Sequence, residues 1–540
     1  MKWQRAAVGI LLMVFILLFP MKLIYEDGVS IGLSFVSARD TMDINNGIQL
    51  FTQPIFIEFI KKLEGFLGVI FTLYTIFIAY VIFMENKNPS KTISWLLVLF
   101  LVPVIGFIFY LFLGHNFRKK NIFKKKRRRD FEYLTQVANI QRDAIKDEQL
   151  FQDDESFIRK KLISLILNNS STPFTINNQS KVLTNGEETF EAIFHALRKA
   201  KHHIHLEYFI IKSDRIGNRL KDILVEKAKE GVEVRVIFDS VGSWRLSKAY
   251  IQELCEAGVE ICGFLPVYFP LLSRELNYRN HRKIIVIDGS VGFLGGINIG
   301  DEYLDGSPQL GFWRDSHIQL VGEAVYSLQN IFIMDWYFVT KQQLELNQRY
   351  FPKLDYCGEQ LIQIAASGPD SDWQSIMQAY FTIITSAEKR IWIDTPYLVP
   401  DESIMVALKV AALSGVDVRI ILPSKPDHTT VYWASMSNIE ELLQAGVKIY
   451  RYKNGFIHAK ILIVDDAVAS IGTANMDIRS FQINFEVNAF IYDKDIVTRM
   501  EKDFLVDFKD SEEVFLESYM KRPFLQKVKE ATGRLFTPLL

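Results

Sequence analysis

Cysteine is scarce in this chain. Cys255, Cys262 and Cys357 are three among 540 residues, too few for a disulfide framework and without metal-like spacing. That scarcity favours a reducing compartment. An excess of either charge is missing too. Sixty-two lysines and arginines stand against 63 acidic residues, a net charge of −1, so the overall balance gives no pointer to nucleic acid. No basic groove is visible either. His202, His203 and His205 invite a metal reading, but at strand spacing only the last two share a face and no third ligand is evident.

Charge is wholly absent from two long stretches. Phe66–Met84 is nineteen residues without a charge, and Ile93–Leu113 is twenty-one more, with Pro103 inside. Each is long enough to cross a hydrocarbon core, and the short link between them makes a hairpin. Ala6–Met21, sixteen residues after Lys2 and Arg5, reads as a third membrane helix or a cleaved signal peptide. From Arg118 to Arg129 nine of twelve residues are basic. Directly after the last span, they place that end on the cytoplasmic side and suit anionic headgroups, at about 1 kcal/mol per charge.

What the chain does contain is one pattern twice. His281-Arg-Lys283 runs into Ile-Ile-Val-Ile-Asp288 and, at Gly295, into Gly-Gly-Ile-Asn298. His458-Ala-Lys460 runs into Ile-Leu-Ile-Val-Asp465 and, at Gly472, into Gly-Thr-Ala-Asn475. Lys, Asp, Gly and Asn recur at His+2, +7, +14 and +17, with the copies 458 − 281 = 177 positions apart. Apolar β-branched runs closed by Asp and Gly read as strands buried on both faces. Residues two apart share a face, so each lysine points the same way as its histidine. A neutral imidazole beside an ammonium suits attack on an anionic phosphate: His as nucleophile, Lys holding the non-bridging oxygens. Asn298 and Asn475 could add neutral donors.

Asp288 and Asp465 complete the motifs and are kept among the catalytic candidates. Yet seven extended residues span about 23 Å at roughly 3.3 Å each, too far for contact with the imidazole. The carboxylates that orient the histidines are therefore expected elsewhere, at Asp315 and Glu486.

Similarity extends beyond the motifs. Ala200-Lys-His-His-Ile-His-Leu-Glu207 parallels Ala387-Glu-Lys-Arg-Ile-Trp-Ile-Asp394, and Gly231-Val-Glu-Val-Arg parallels Gly415-Val-Asp-Val-Arg. Helix-length segments alternate with short apolar strands, which predicts an α/β fold of two related lobes, each a sheet flanked by helices. The expected division is a membrane region over 1–117, with helices at about 6–22, 66–84 and 93–113. A basic tract and linker follow over 118–175, then a first lobe over 176–352 and a second over 353–540 that ends in an amphipathic segment.

The doubled motif resembles the HKD signature of the phospholipase D superfamily, and the whole chain is similar to the bacterial cardiolipin synthases. The likeness includes Asn88-Pro-Ser-Lys-Thr-Ile-Ser-Trp95 and the C-terminal Tyr519–Leu540 segment. The resemblance implies two phospholipase D-like lobes about a pseudo-twofold axis, with one active site between them. It implies no metal and no cofactor, a phosphohistidine intermediate, and phosphatidyl transfer between two phosphatidylglycerols to give cardiolipin and glycerol. It further implies a multi-pass protein of the bacterial cell membrane, with the lobes on the cytoplasmic face and no nucleic-acid partner. His281 is the expected nucleophile and His458 the acid/base, though the motifs' symmetry permits the reverse. A membrane-bound phospholipase D using water remains the alternative, because the motif does not choose the acceptor. Oligomeric state is not legible.

Overall fold

The structure is a computed structural model. It describes residues 54–85, 89–101, 106, 132–146, 157–266, 277–344 and 347–537. The chain divides into two units, residues 1–84 and 85–540. Of the expected membrane segments, 6–22 lies outside the described residues. The run 66–84 falls within a helix, Pro54–Glu85. The run 93–113 is described to Leu101, in a helix that opens at Pro89, and again at Gly106. Proline suits a first helical position because its missing N–H would have no intrahelical partner there. Among the described residues no helix is long and apolar enough to cross a membrane.

The first lobe is a seven-stranded mixed sheet. Its spatial order is Asn178–Thr184, Ser316–Gly322, Val291–Gly295, Ile284–Ile287, His203–Tyr208, Glu233–Asp239, Glu260–Phe264. The second lobe repeats the order with Ile362–Ser367, Glu486–Ile491, Val468–Gly472, Ile461–Val464, Arg390–Asp394, Asp417–Pro423 and Lys448–Tyr452. In each lobe the three last-named strands are parallel and joined through helices; the others pair antiparallel. The second sheet gains an edge strand at each side, Phe174–Thr175 and Ser511–Val514.

Both motif strands are fully buried. Ile285 and Ile287 pack into the first lobe's own core, whereas Ile284 and Val286 join a cluster built by both lobes, together with Ile461 and Ile463. Leu462 and Val464 face the second lobe's helices. The continuous apolar run is thus explained by one face toward each core.

The stretch expected to be a linker needs correcting. Helices Glu132–Lys146 and Phe157–Ser170 lie inside it. Their Ala138, Ile145, Leu162, Ile163, Ile166 and Leu167 belong to the second lobe's core. The run Arg159-Lys-Lys161 gives the second helix a polar appearance in the sequence, while its apolar residues at i, i+1, i+4 and i+5 cover the sheet.

Candidate active site

Each motif strand starts just after its histidine and lysine, so both pairs sit where the chain crosses from one lobe toward the other. The segment entering the first motif runs beside Phe485 of the second lobe. Phe485 N donates to Arg279 O at 2.9 Å, and His281 N donates to Phe485 O at 3.0 Å. The second motif repeats this against the first lobe: Phe456 N donates to Phe312 O at 2.8 Å and His458 N to Arg314 O at 2.7 Å. Each histidine therefore hangs on the residue just before a candidate carboxylate.

The side chains complete the exchange. His281 Nδ1 is 2.9 Å from Glu486 Oε2, and His458 Nδ1 is 2.7 Å from Asp315 Oδ2. Both carboxylates are 0% exposed, while each histidine keeps 8%. With Nδ1–H donated to a carboxylate, Nε2 carries the lone pair. Lys283 Nζ donates to His281 O at 2.8 Å. Lys460 Nζ donates to His458 O and lies 3.0 Å from His458 Nδ1. The two histidines bear on each other electrostatically, as do the two lysines.

Burial dominates the charges. It drives the His281 imidazole well below its ordinary pKa, helped by Lys283 and Lys460. Burial and Lys460 lower His458 to about 4, against Asp315, which raises it. Burial also lowers Lys283 to about 7 and Lys460 to about 8. Glu486 is pushed up to about 7 by burial, against Lys283. Burial raises Asp315 too, but Lys460 and His458 outweigh it and hold that carboxyl below its usual range. Two neutral imidazoles and two desolvated amines make a site short of negative charge, which an anionic phosphodiester would supply.

The motif aspartates are elsewhere. Asp288 accepts from the backbone N–H groups of Lys201, His202 and His203 at 2.8, 2.8 and 3.0 Å. Asp465 accepts from Glu388, Lys389 and Arg390 at 3.0, 2.8 and 2.9 Å. Both sit at the far ends of four-residue strands with φ near +50°, 52° and 51°. They fasten the start of the neighbouring strand, and their inclusion among catalytic candidates is corrected accordingly. Asn298 and Asn475 are both buried. Asn298 Nδ2 donates to Tyr303 OH at 3.0 Å, and its Oδ1 accepts from Ile210 N at 3.2 Å. Gly296 is required by close approach: a Cβ there would lie 2.1 Å from Asp315 Oδ1.

Several neighbours had no sequence signal of their own. Thr473 Oγ1 donates to Glu486 Oε2 at 2.5 Å. It occupies the position of Gly296 in the other copy, and that difference between copies was the one available hint. Phe209 lies 4.9 Å from the His281 ring and Trp313 5.4 Å from the His458 ring, centroid to centroid. Behind the carboxylates stand two buried ion pairs. Arg282 pairs with Asp335 and donates to Glu486 O at 3.3 Å; Arg314 pairs with Asp507 and donates to Asp315 O at 2.8 Å. His203 and His205, weighed as metal ligands, both meet Gln329, at 3.1 and 2.8 Å. Among the described residues no group of three or more His, Cys, Asp or Glu is placed to hold a metal ion.

A family model described as cardiolipin synthase, phospholipase D-like domain, matches residues 193–336 and 380–507, which contain both motifs and both carboxylates. The chain is 50% identical over 480 residues to the cardiolipin synthase of Geobacillus sp. (strain WCH70), covering 89% of this chain and 95% of that protein. The chain belongs to the cardiolipin synthase family. It is 44% identical over 476 residues to the major cardiolipin synthase of Bacillus subtilis (strain 168), covering 88% of this chain and 98% of that one. A second family model, described as phospholipase D-nuclease N-terminal, matches residues 72–115. In fold the chain is similar to the phosphatidylserine synthase of Haemophilus influenzae Rd KW20, with TM-score 0.53 and 16% identity over 70% of this chain and 96% of that one. As a member of the cardiolipin synthase family, the protein is a phosphatidyltransferase of the phospholipase D superfamily.

Proposed function

We propose that the protein moves a phosphatidyl group from one phosphatidylglycerol to a headgroup hydroxyl of a second, releasing glycerol and forming cardiolipin. The observation that carries the reading is the reciprocal carboxylate–imidazole pairing across the lobes, His281 with Glu486 and His458 with Asp315. It leaves two Nε2 atoms free around one anion site flanked by Lys283 and Lys460.

His281 Nε2 attacks phosphorus. The P–O bond to glycerol breaks, and His458 gives its Nε2 proton to the departing oxygen. His458 then takes a proton from a hydroxyl of the second lipid. That oxygen attacks phosphorus, the P–N bond breaks, and His281 returns to its neutral form. For the first step His458 must enter protonated. The bound phosphodiester and ionised Asp315 both raise its pKa, which favours this histidine as the acid; Glu486, held near 7, supports an imidazolium less well. The lysines hold the non-bridging oxygens, with the buried Asn298 and Asn475 as further candidate donors. No metal takes part in this scheme.

The membrane reading belongs here as well. In sequence the uncharged runs 66–84 and 93–113 are each long enough to span a hydrocarbon core, and the basic tract 118–129 after them favours catalytic lobes on the cytoplasmic face, near anionic lipid. The test is full-length protein in proteoliposomes with labelled phosphatidylglycerol and a chelator. Cardiolipin and glycerol in equal amounts are expected. Phosphatidic acid alone would select the hydrolase, and loss of activity to the chelator would overturn the metal-free scheme.

A further inference from the structure

The C-terminal helix Phe524–Phe536 is built inside out. A helix that packs on a globular domain turns its apolar stripe inward. Here the two fully buried residues are Glu530 and Gly533. Glu530 accepts from Arg522 Nε at 2.9 Å, Gln526 Nε2 at 2.9 Å and Tyr519 OH at 3.1 Å. At Gly533 a Cβ would come within 2.6 Å of Ala434 N, so the helix crosses Thr429–Met436 at backbone contact. The face toward the protein is therefore polar and closely fitted.

The opposite face is apolar and open. Phe524 is 81% exposed, Leu525 65%, Val528 42%, Leu535 79% and Phe536 45%. Positions 524, 528 and 535 fall on one stripe at helical spacing, with 525 and 536 along one edge. Lys527 and Arg534 border the stripe on one side and Lys529 on the other, all exposed. Phe515 and Met520, just before the helix, are exposed as well, at 62% and 44%. An apolar stripe between two cationic borders matches a bilayer interface: acyl chains under the stripe, anionic phosphates against the borders.

We propose that this helix is a second membrane-docking element, lying in the plane of an anionic bilayer with Phe524, Val528 and Leu535 inserted and Lys527, Lys529 and Arg534 at headgroup level. It acts on the second lobe, apart from the N-terminal segments. Thr429–Met436, on which it rests, begins two residues after Asp427, whose charge bears on Lys460. Docking here would hold the second motif's side of the catalytic unit against its substrate's membrane.

Phe524→Cys, Leu535→Cys and Glu517→Cys, each made in the full chain, test this. Glu517, with 85% side-chain exposure in the preceding short helix, is the reference. Reaction with a water-soluble maleimide is followed peptide by peptide in phosphatidylglycerol proteoliposomes. The account expects residues 524 and 535 to react at least tenfold more slowly than 517, with weaker protection in phosphatidylcholine. Equal rates at all three positions would overturn the proposal. Protection that vanishes when the lipid-to-protein ratio is raised a hundredfold would assign the stripe to a second copy of the chain and overturn it too. Equal protection in phosphatidylcholine would remove the role given to the cations. Labelling needs no turnover, so the result is independent of phosphatidyl transfer.

Discussion

Asp315→Asn separates the roles of the two histidines. The wild-type carboxylate is fully buried, accepts from Ser316 N at 2.7 Å and faces His458 Nδ1 at 2.7 Å. A hydrogen bond to a charged group contributes about 1.5–3 kcal/mol, or roughly 10- to 150-fold in rate if it strengthens in the transition state. Asparagine also presents an N–H to Nδ1, which shifts the proton to Nε2 and stops His458 from acting as a base. A buried Asp→Asn change behind a catalytic histidine has cost about 10⁴ in the serine-protease template. The expected fall in kcat is therefore about 10²–10⁴ for cardiolipin formation in proteoliposomes, with little change in KM. The loss should be much smaller for the single-turnover burst of p-nitrophenol from a phosphatidyl p-nitrophenol donor, whose leaving group needs no proton; steady-state release still waits on His458 as base and should fall with transfer. Thermal unfolding checks that the variant is folded. A p-nitrophenol burst slowed as much as cardiolipin formation, or a fall of less than tenfold in cardiolipin formation, would refute the assignment of His458 as acid and base.

Other consequences can be checked in the same assay. His458→Ala should lower transfer by about 10²–10⁴, the usual share of acid–base catalysis; His281→Ala should abolish it, since no covalent intermediate can form. Substrate-free Lys283 and Lys460 titrate near 7 and 8, so kcat/KM should decline as pH rises through that range and the ammoniums are lost. A bound phosphodiester about 4 Å away favours each ammonium by about 4 kcal/mol at an effective dielectric of about 20. The alkaline limb of kcat should therefore lie at higher pH than that of kcat/KM, and coincident limbs would contradict the lysines' role. Asp288→Ala removes the acceptor of three backbone N–H groups and should cost about 1–3 kcal/mol of stability. Calorimetry should register a lower Tm, while kcat per folded molecule is retained.

The two His-Lys pairs are legible because chemically distinctive side chains recur at fixed spacing. Asp315 and Glu486 were legible by exclusion, since the strand's length puts Asp288 and Asp465 out of reach of the imidazoles. Their crosswise pairing was not. Alternation along a strand tells which face a residue occupies, not which lobe lies opposite that face. Thr473 stayed hidden because one hydroxyl in an apolar stretch has no pattern. Arg282 and Arg314 were hidden for a different reason: a buried guanidinium paired with an aspartate reads in sequence like any surface cation. The stretch 130–171 reads in sequence as a polar linker with a helical middle; that its helices bury Ala138, Ile145, Leu162, Ile163, Ile166 and Leu167 in the second lobe's core is not legible, because polar residues dominate the composition. The repeat carries the expectation of two related α/β lobes; the strand order within each sheet is not legible from it.

The most direct measurement concerns the covalent step. His458→Ala is mixed with phosphatidyl p-nitrophenol labelled in its phosphate, quenched under alkaline conditions that spare a phosphoramidate, and digested for peptide mapping. The account predicts one equivalent of p-nitrophenol and label on His281. Label elsewhere on the chain, or none after a full burst, would contradict it.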